Sequence, residues 1–210
     1  MRREAPGPGS RGRRAVVLKP PDAKSWLTEY FGRYRDALFG SDVRDQLVEL
    51  AALMRHTQAG GRKVVFAGNG GSAAMASHCA VDFTKNAGIR GVNFNEPDLI
   101  TCFANDCGYE RWLEKALELY ADPGDLVVLI SSSGKSPNMV RAAEHCRARG
   151  LATATFTGFA ADNPLRAFGR VNFWVDSRAY NVIEMTHHVW LLAVCDLIIG
   201  SAEYRASDGR

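Results

Sequence analysis

Residues 63–83 read KVVFAGNGGSAAMASHCAVDF and contain the pattern that decides the fold. The first five, KVVFA, form a short run rich in β-branched and aromatic side chains, which is typical of a buried strand. Gly68 ends this run, and the apolar residues between Ser72 and Phe83 recur at helical spacing. The segment therefore predicts a strand, a glycine-rich turn and a helix.

The same order of elements returns later in the chain. Residues 125–130 are predicted as an apolar strand, 131–136 as a polar turn and 137–149 as a helix. The other predicted strands are 99–103, 151–157 and 171–175, and the other predicted helices lie within 22–60, 109–120 and 182–204. Within 22–60, Gly40 interrupts the apolar spacing and is followed by Ser41 and Asp42, which predicts two helices with a new N-cap at this point.

Alternating strands and helices indicate a parallel sheet covered on both faces, because parallel neighbours need a crossover that is usually helical. The sequence thus predicts an α/β fold, a three-layer α/β/α sandwich around a central, mostly parallel five-stranded sheet. A length of 210 residues, with 46% hydrophobic and 23% charged residues, fits one globular domain. We predict this domain at 21–205, between an Arg/Gly/Pro-rich disordered tail at 1–20 and a short tail at 206–210.

Charge and cysteine content narrow the possible function classes. The net charge is +3 and residues 1–14 alone carry +4, so the rest of the chain lacks the basic surplus of a nucleic-acid binder. For the basic tail, an anion-binding arm is the alternative to disorder. Five cysteines without a CxxC pair or a secretory signal predict reduced thiols in a cytoplasmic protein, with Cys79 and Cys195 in the core. The longest apolar run, 189–199, is shorter than the ~20 residues of a membrane span, so none is predicted.

Polar turns follow two of the predicted strands, at the sheet edge where open α/β sheets bind ligands. In the first, 68–72, glycines let the backbone approach an anion, and Ser72 is predicted to cap the following helix. The second, 131–136, offers four hydroxyl groups, backbone N–H groups and Lys135 at another helix start. It is not a P-loop, because that motif needs a glycine where this chain has Leu129. Two such turns in one sheet favour phosphate binding over ordinary helix caps.

Two pairs of side chains have the spacing of metal ligands. His78 and Asp82 lie four residues apart in one predicted helix, and Glu184 and His188 repeat this spacing in the last helix. Together they offer four donors for a zinc-like cation. The alternative is that the histidines are core residues and the carboxylates lie in solvent. The nearness of His78 and Asp82 to the first turn favours a site.

The motifs, taken in order, resemble a known family. The stretch GNGGSAA at 68–74 with His78 behind it, the pair Asn105 and Asp106, and the run ISSSGKS at 130–136 resemble the sugar isomerase (SIS) domain, in its phosphoheptose isomerase branch. The resemblance covers about residues 26–199. It implies a flavodoxin-like SIS fold, a homotetramer with sites at subunit interfaces, and conversion of sedoheptulose 7-phosphate to a glycero-manno-heptose 7-phosphate for nucleotide-heptose biosynthesis.

The resemblance also implies which residues hold the sugar phosphate. They are Asn69, Gly70, Gly71, Ser72, Asn105, Asp106, Ser131, Ser132, Ser133, Ser136 and Glu184. Three positions depart from the family's metal site, since Asp82 replaces a glutamate, Glu184 a glutamine and Leu192 the final histidine. We expect His188, one turn before Leu192, to supply the missing imidazole, and we rank His187 second.

Ketose–aldose isomerisation removes a proton from C1 and adds one at C2. We expect Asp82 to be the base and His188 to be its acid/base partner or a metal ligand. If zinc binds, its predicted ligands are His78, Asp82, Glu184 and His188, and the cation would polarise the carbonyl; a metal-free exchange of protons between Asp82 and His188 is the alternative. The competing function is that of a non-catalytic SIS-domain protein, either a sugar-phosphate binder or a replication-initiation adaptor. Leu192 at the position of the final histidine favours this non-catalytic class.

Overall fold

The computed structural model describes residues 22–203, so the predicted tails at 1–20 and 206–210 lie outside the described residues. Seven helices are described: α1 (Ala23–Phe39), α2 (Arg44–Ala59), α3 (Gly71–Lys85), α4 (Pro97–Cys107), α5 (Trp112–Tyr120), α6 (Pro137–Ala148) and α7 (Tyr180–Ile199). The described strands are β1 (Val64–Gly68), β2 (Gly91–Val92), β3 (Leu126–Ser131), β4 (Ala152–Thr157) and β5 (Val171–Trp174), with a short 3-10 turn at Pro164–Ala167.

The five strands form one parallel sheet in the order β2-β1-β3-β4-β5. This confirms the predicted α/β/α sandwich with a flavodoxin-like sheet. The chain leaves β1 toward β2 on one side and then returns to place β3 on the other side of β1. The strand order therefore reverses between β1 and β3, which is the position where open α/β sheets bind ligands.

Two apolar cores cover the two faces of the sheet. Val64 and Phe66 of β1 belong to the core shared with α2, α3 and α7, whereas Val65 and Ala67 belong to the core shared with α5 and α6. All residues of β1 and β3 are buried, as expected for central strands of a parallel sheet. Cys79 lies in the first core, as predicted, and burial raises the pKa of its thiol to about 12.

Cys195 also lies in that first core, which confirms the second cysteine prediction. Burial raises the pKa of the Cys195 thiol to about 12. Both thiols are therefore protonated at neutral pH and pack as small apolar side chains.

The predicted strand at 99–103 is wrong, since these residues lie within α4. Pro97 at the first turn fits a helix start, because it has no N–H to lose there. Leu99, Ile100 and Phe103 lie on one helical face and pack against the second core. The fifth strand is instead β2, a two-residue edge strand whose short apolar segment gives little sequence signal.

Two predicted helix ends differ from the structure in detail. The N-cap residue of α2 is Val43 rather than Ser41 or Asp42, but Asp42 accepts hydrogen bonds from both the backbone N–H (3.2 Å) and the side chain of Arg44, the first residue of the helix. α7 ends at Ile199 rather than near 204, because Gly200 adopts the left-handed conformation (φ 85°) that commonly terminates helices.

Among residues 22–203, α7 is long and apolar enough to cross a membrane by length and composition, with a mean hydropathy of 1.6. This 20-residue helix is longer than the apolar run at 189–199 on which the prediction of no membrane span was based. A helix that packs into a protein core passes the same test, and Trp190 and Val194 of α7 belong to the first core.

Candidate active site

A small cavity of about 100 Å³ lies where β1 and β3 end, at the reversal of strand order. Its lining residues are Asn69, Ser72, Ile130, Ser131, Ser132, Ser133, Ser136, Tyr180 and Glu184. The two predicted polar turns therefore meet at one site. A larger cavity of about 710 Å³ lies between α1 and the β5–α7 connection, and none of the predicted site residues lines it.

The serine turn after β3 presents free hydroxyl groups to the small cavity. Ser132 Oγ is buried and has no hydrogen-bond partner among the described residues. Ser136 is the N-cap residue of α6, but its side chain does not cap the helix, so its hydroxyl is left for a ligand. Ser133 Oγ accepts a hydrogen bond from the Lys135 backbone N–H at 3.2 Å. A buried hydroxyl without a partner is costly, and an anion at the α6 N-terminus would satisfy it.

The first turn places Glu184 against the start of α3. Gly70 has a positive φ of 56° and Gly71 begins the helix, so the predicted cap by Ser72 is not formed. A Cβ at position 71 would collide with the carboxylate of Glu184, which explains the need for glycine there. Burial raises the pKa of Glu184. The carboxyl group of Glu184 thus forms one wall of the serine-lined cavity.

A second group, the histidine cluster, consists of His78 and Asp82 of α3 and His188 of α7. His78 Nε2 lies 3.1 Å from Asp82 Oδ2. The His188 ring packs edge-to-face on the His78 ring, with the ring centres 4.7 Å apart. His188 Nε2 is buried without a hydrogen-bond partner among residues 22–203.

The surroundings of His188 favour its neutral form. Burial lowers the pKa of His188, its electrostatic interaction with His78 lowers it further, and Asp82 only partly opposes these effects. A neutral imidazole beside a carboxylate can accept or donate a proton near neutral pH. The histidine cluster therefore has the groups that acid–base chemistry requires.

The structure does not bring the four predicted zinc ligands together. His78, Asp82 and His188 lie in one cluster, whereas Glu184 faces the serine-lined cavity against Gly71. Within residues 22–203, no group of three or more His, Cys, Asp or Glu side chains has an arrangement that could hold a metal ion. The donors as placed do not fit a zinc centre, so the chemistry below is derived from the side chains themselves.

Asn105 and Asp106 are not brought to the cavity either. Both are exposed near the end of α4, where Asn105 Nδ2 donates to Asp106 Oδ1 at 2.9 Å. His187 is fully buried and points away from the histidine cluster, with its Nε2 3.0 Å from the Thr157 carbonyl oxygen. Burial lowers the pKa of His187 to about 4. His187 is thus a core residue.

Three residues of this region were not predicted from the sequence. Tyr180 lines the cavity and packs its ring on Phe159, with ring centres 5.0 Å apart. Asn138 and Tyr109 both bond the side chain of Asn69. Asn138 lies two positions after Ser136, so its nearness to the serine turn was the available signal, but its pairing with the first turn was not visible in the sequence.

Comparisons with known proteins agree with this geometry. The sequence pattern of the SIS domain matches residues 30–158, which is more than half of the chain. The phosphoheptose isomerase of Akkermansia muciniphila is 32% identical over 164 residues, covering 75% of this chain and 86% of that protein. The chain belongs to the SIS domain family, in its phosphoheptose isomerase branch.

Other relatives support the same placement of this SIS domain. The phosphoheptose isomerase of Nitratidesulfovibrio vulgaris (strain Miyazaki F) is 39% identical over 120 residues, a match that spans 54% of this chain and 58% of that protein. A solved phosphoheptose isomerase structure from Neisseria gonorrhoeae has a TM-score of 0.75 and 26% identity, covering 83% of this chain and 96% of that chain.

Proposed function

We propose that this SIS domain is a cytoplasmic ketose–aldose isomerase that converts sedoheptulose 7-phosphate to a glycero-manno-heptose 7-phosphate for nucleotide-heptose biosynthesis. The observation that carries the proposal is the serine-lined cavity, with its buried unpartnered Ser132 hydroxyl, next to the histidine cluster. The relatives named phosphoheptose isomerase support this substrate class.

The cavity is suited to the phosphate group of the substrate. It is small, it is lined by Ser131, Ser132, Ser133 and Ser136, and it lies at the N-terminus of α6. Hydroxyl groups and helix N-termini both bind phosphate oxygens. Lys135 is exposed outside this lining and supplies at most a distant positive charge.

The histidine cluster is suited to the proton transfers. His188 lies one turn beyond Glu184 on α7, about 6 Å further along the helix axis. With the C7 phosphate anchored in the cavity, the reacting carbons C1 and C2 lie at the other end of the sugar. Asp82 removes the C1 proton while neutral His188 donates a proton to the C2 oxygen, which gives the enediol. Asp82 then returns its proton to C2 and His188 takes the proton of the C1 hydroxyl, so the aldehyde forms at C1 and both side chains regain their starting protonation states.

Truncating Ser133 to alanine is expected to weaken sugar-phosphate binding about ten- to hundredfold, because a hydrogen bond to a charged group contributes about 1.5–3 kcal/mol. Titration calorimetry with sedoheptulose 7-phosphate measures the change. Ser41→Ala, at an exposed position outside the cavity, is the matched control and should bind like the parent. If Ser133→Ala binds as tightly as the parent, the serine turn is not the phosphate site.

The direct test of the activity is incubation of the purified protein with sedoheptulose 7-phosphate, with and without added zinc, followed by NMR of the products. Formation of a heptose 7-phosphate aldose supports the proposal. Formation without zinc supports proton exchange by the side chains alone, whereas a strict zinc requirement would mean that Glu184 or another donor moves toward the histidine cluster.

A second candidate function is a non-catalytic sugar-phosphate-binding or adaptor protein. The observation that favours it is Leu192, which stands at the family's final histidine position and cannot transfer a proton. Sedoheptulose 7-phosphate binding without turnover would support this class. The unpartnered His188 Nε2 beside Asp82 favours the isomerase.

We also propose that the protein forms a homotetramer whose sites lie at subunit interfaces. Within the described residues, none of the side chains of α1 is buried, although the helix carries an aromatic face. Trp26, Leu27 and Phe31 of this face are 48%, 43% and 62% exposed. An apolar helix face of this size indicates burial against another copy of the chain.

Light scattering at micromolar concentration should therefore give a mass near four times the 23.0 kDa of one chain. Replacing Phe31 with aspartate should shift the distribution toward smaller species, because it places a charge in the expected interface. Glu29→Asp is the control, because it changes a residue of the same helix without changing the charge of that helix. A monodisperse 23.0 kDa species of the parent would contradict both the tetramer and any shared site.

A further inference from the structure

The Asn69 carboxamide connects three segments of the chain beside the serine-lined cavity. Asn69, in the turn after β1, lines this cavity. Asn138, in the first turn of α6, and Tyr109, in the connection between α4 and α5, both bond its side chain. These three segments are distant in sequence, and Asn69 is their common point of contact.

The hydrogen bonds of the Asn69 side chain use only one of its two Nδ2 hydrogens within the described residues. Asn69 Nδ2 donates to Asn138 Oδ1 at 3.0 Å, and Asn69 Oδ1 accepts from Asn138 Nδ2 at 2.9 Å and from the Tyr109 hydroxyl at 3.2 Å. A carboxamide has two acceptor sites and two donor hydrogens. Within residues 22–203, both acceptor sites and one hydrogen are therefore used, and the other Nδ2 hydrogen is free for a group in the cavity.

Asn138 itself has no access to a ligand. It is 2% exposed and is absent from the lining of the cavity among the described residues. Its carboxamide makes a reciprocal pair with Asn69, which fixes the plane and the orientation of the Asn69 side chain. A buried amide that is paired on both of its atoms holds its partner strongly, because breaking the pair leaves unsatisfied polar groups.

We infer that Asn138 is a positioning residue, supported by Tyr109, that orients Asn69 so that its free Nδ2 hydrogen bonds a phosphate oxygen in the serine-lined cavity. This inference rests on the phosphate site of the proposed function. It does not depend on the isomerisation, since it concerns how the anion is held. A cavity of about 100 Å³ bordered by serine hydroxyls and this N–H matches a phosphate group rather than a whole sugar.

The first test measures inorganic phosphate binding by titration calorimetry in parent, Asn69→Ala, Asn138→Leu and the double variant. Asn138→Leu keeps the side-chain volume and removes the pairing, and it is expected to weaken phosphate binding about tenfold. The double variant is expected to bind no more weakly than Asn69→Ala, because Asn138 acts only through Asn69. Additive losses, or parent-like binding by Asn138→Leu, would overturn the inference.

Two further variants separate orientation from general loss of stability. Asn138→Asp still accepts from Asn69 Nδ2 but places a carboxylate oxygen opposite Asn69 Oδ1. The two oxygens repel each other in either orientation of the Asn69 carboxamide, which displaces it, so this variant should weaken phosphate binding more than Asn138→Leu does. Asn172→Leu breaks a different amide, bonded to Thr155 and Gly169, and should lower the melting temperature without changing phosphate affinity.

Kinetics distinguish this inference from the proposed activity. With sedoheptulose 7-phosphate, Asn138→Leu should raise KM about tenfold and leave kcat within about twofold, since the phosphate lies away from the reacting carbons. A parent without turnover that still shows the phosphate-binding pattern would remove the isomerase proposal and keep the role of Asn138. Loss of kcat at unchanged KM would contradict the role of Asn138.

Discussion

Replacing Asp82 with asparagine is expected to lower kcat on sedoheptulose 7-phosphate about 10²–10⁴-fold, the range that a positioned general base contributes. The amide has nearly the shape of the carboxylate and can still accept a hydrogen bond from His78 Nε2, 3.1 Å away in the parent. It cannot take the C1 proton. KM should change little, because the serine-lined cavity that holds the phosphate is intact.

The matched control for Asp82→Asn is Asp45→Asn, which removes an exposed carboxylate from the first turn of α2. It should keep parental turnover. A second readout is exchange of the C1 proton with deuterated solvent, followed by NMR, which should slow in step with turnover. Rapid exchange in Asp82→Asn would assign the base to another group.

The fold could be predicted from the sequence because each of two strand–turn–helix units combines, within about 20 residues, the apolar run of a strand and the apolar spacing of a helix. The prediction failed where the local signal was short or ambiguous. In 99–103, the apolar residues are so close together in sequence that their pattern fits both a strand and one face of a helix. Pro97 was the residue that indicated a helix start. The two-residue strand β2 has too few side chains to show a period.

The lining of the serine-lined cavity was predictable because most of its residues lie at or just after the ends of β1 and β3. The cavity contains Asn69, Ser72 and four serines of the second turn, as the resemblance implied. Asn105 and Asp106 lie outside it in the single chain. In the proposed tetramer, a second subunit would supply the group that Asn105 and Asp106 contact.

The arrangement of the acidic and histidine side chains was harder to predict. Glu184 and His188 are four residues apart on one face of α7, and that spacing alone suggested a shared ligand. Because α7 runs along α3, Glu184 meets Gly71 at the start of α3 while His188 meets His78 two turns later. Helix spacing fixes which face a residue occupies, and packing between the two helices decides which partner it meets.

His188→Ala is expected to reduce turnover by at least about a hundredfold, because it removes the imidazole that stands in for the histidine absent at Leu192. Burial and the electrostatic interaction with His78 keep the pKa of His188 low, so at neutral pH it is the neutral acid/base partner of Asp82. Inorganic phosphate affinity should stay at the parental value, since His188 is outside the serine-lined cavity.

His145→Ala is the matched control, because His145 lies in the last turn of α6, on the opposite face of the sheet from α3 and α7. It should keep nearly full turnover. Parental turnover in His188→Ala would contradict the replacement of the missing histidine. If the parent binds sedoheptulose 7-phosphate but turns over no heptose phosphate, then Leu192 decides the function: the histidine cluster lacks the group that completes proton transfer, and the SIS domain binds its sugar phosphate without converting it.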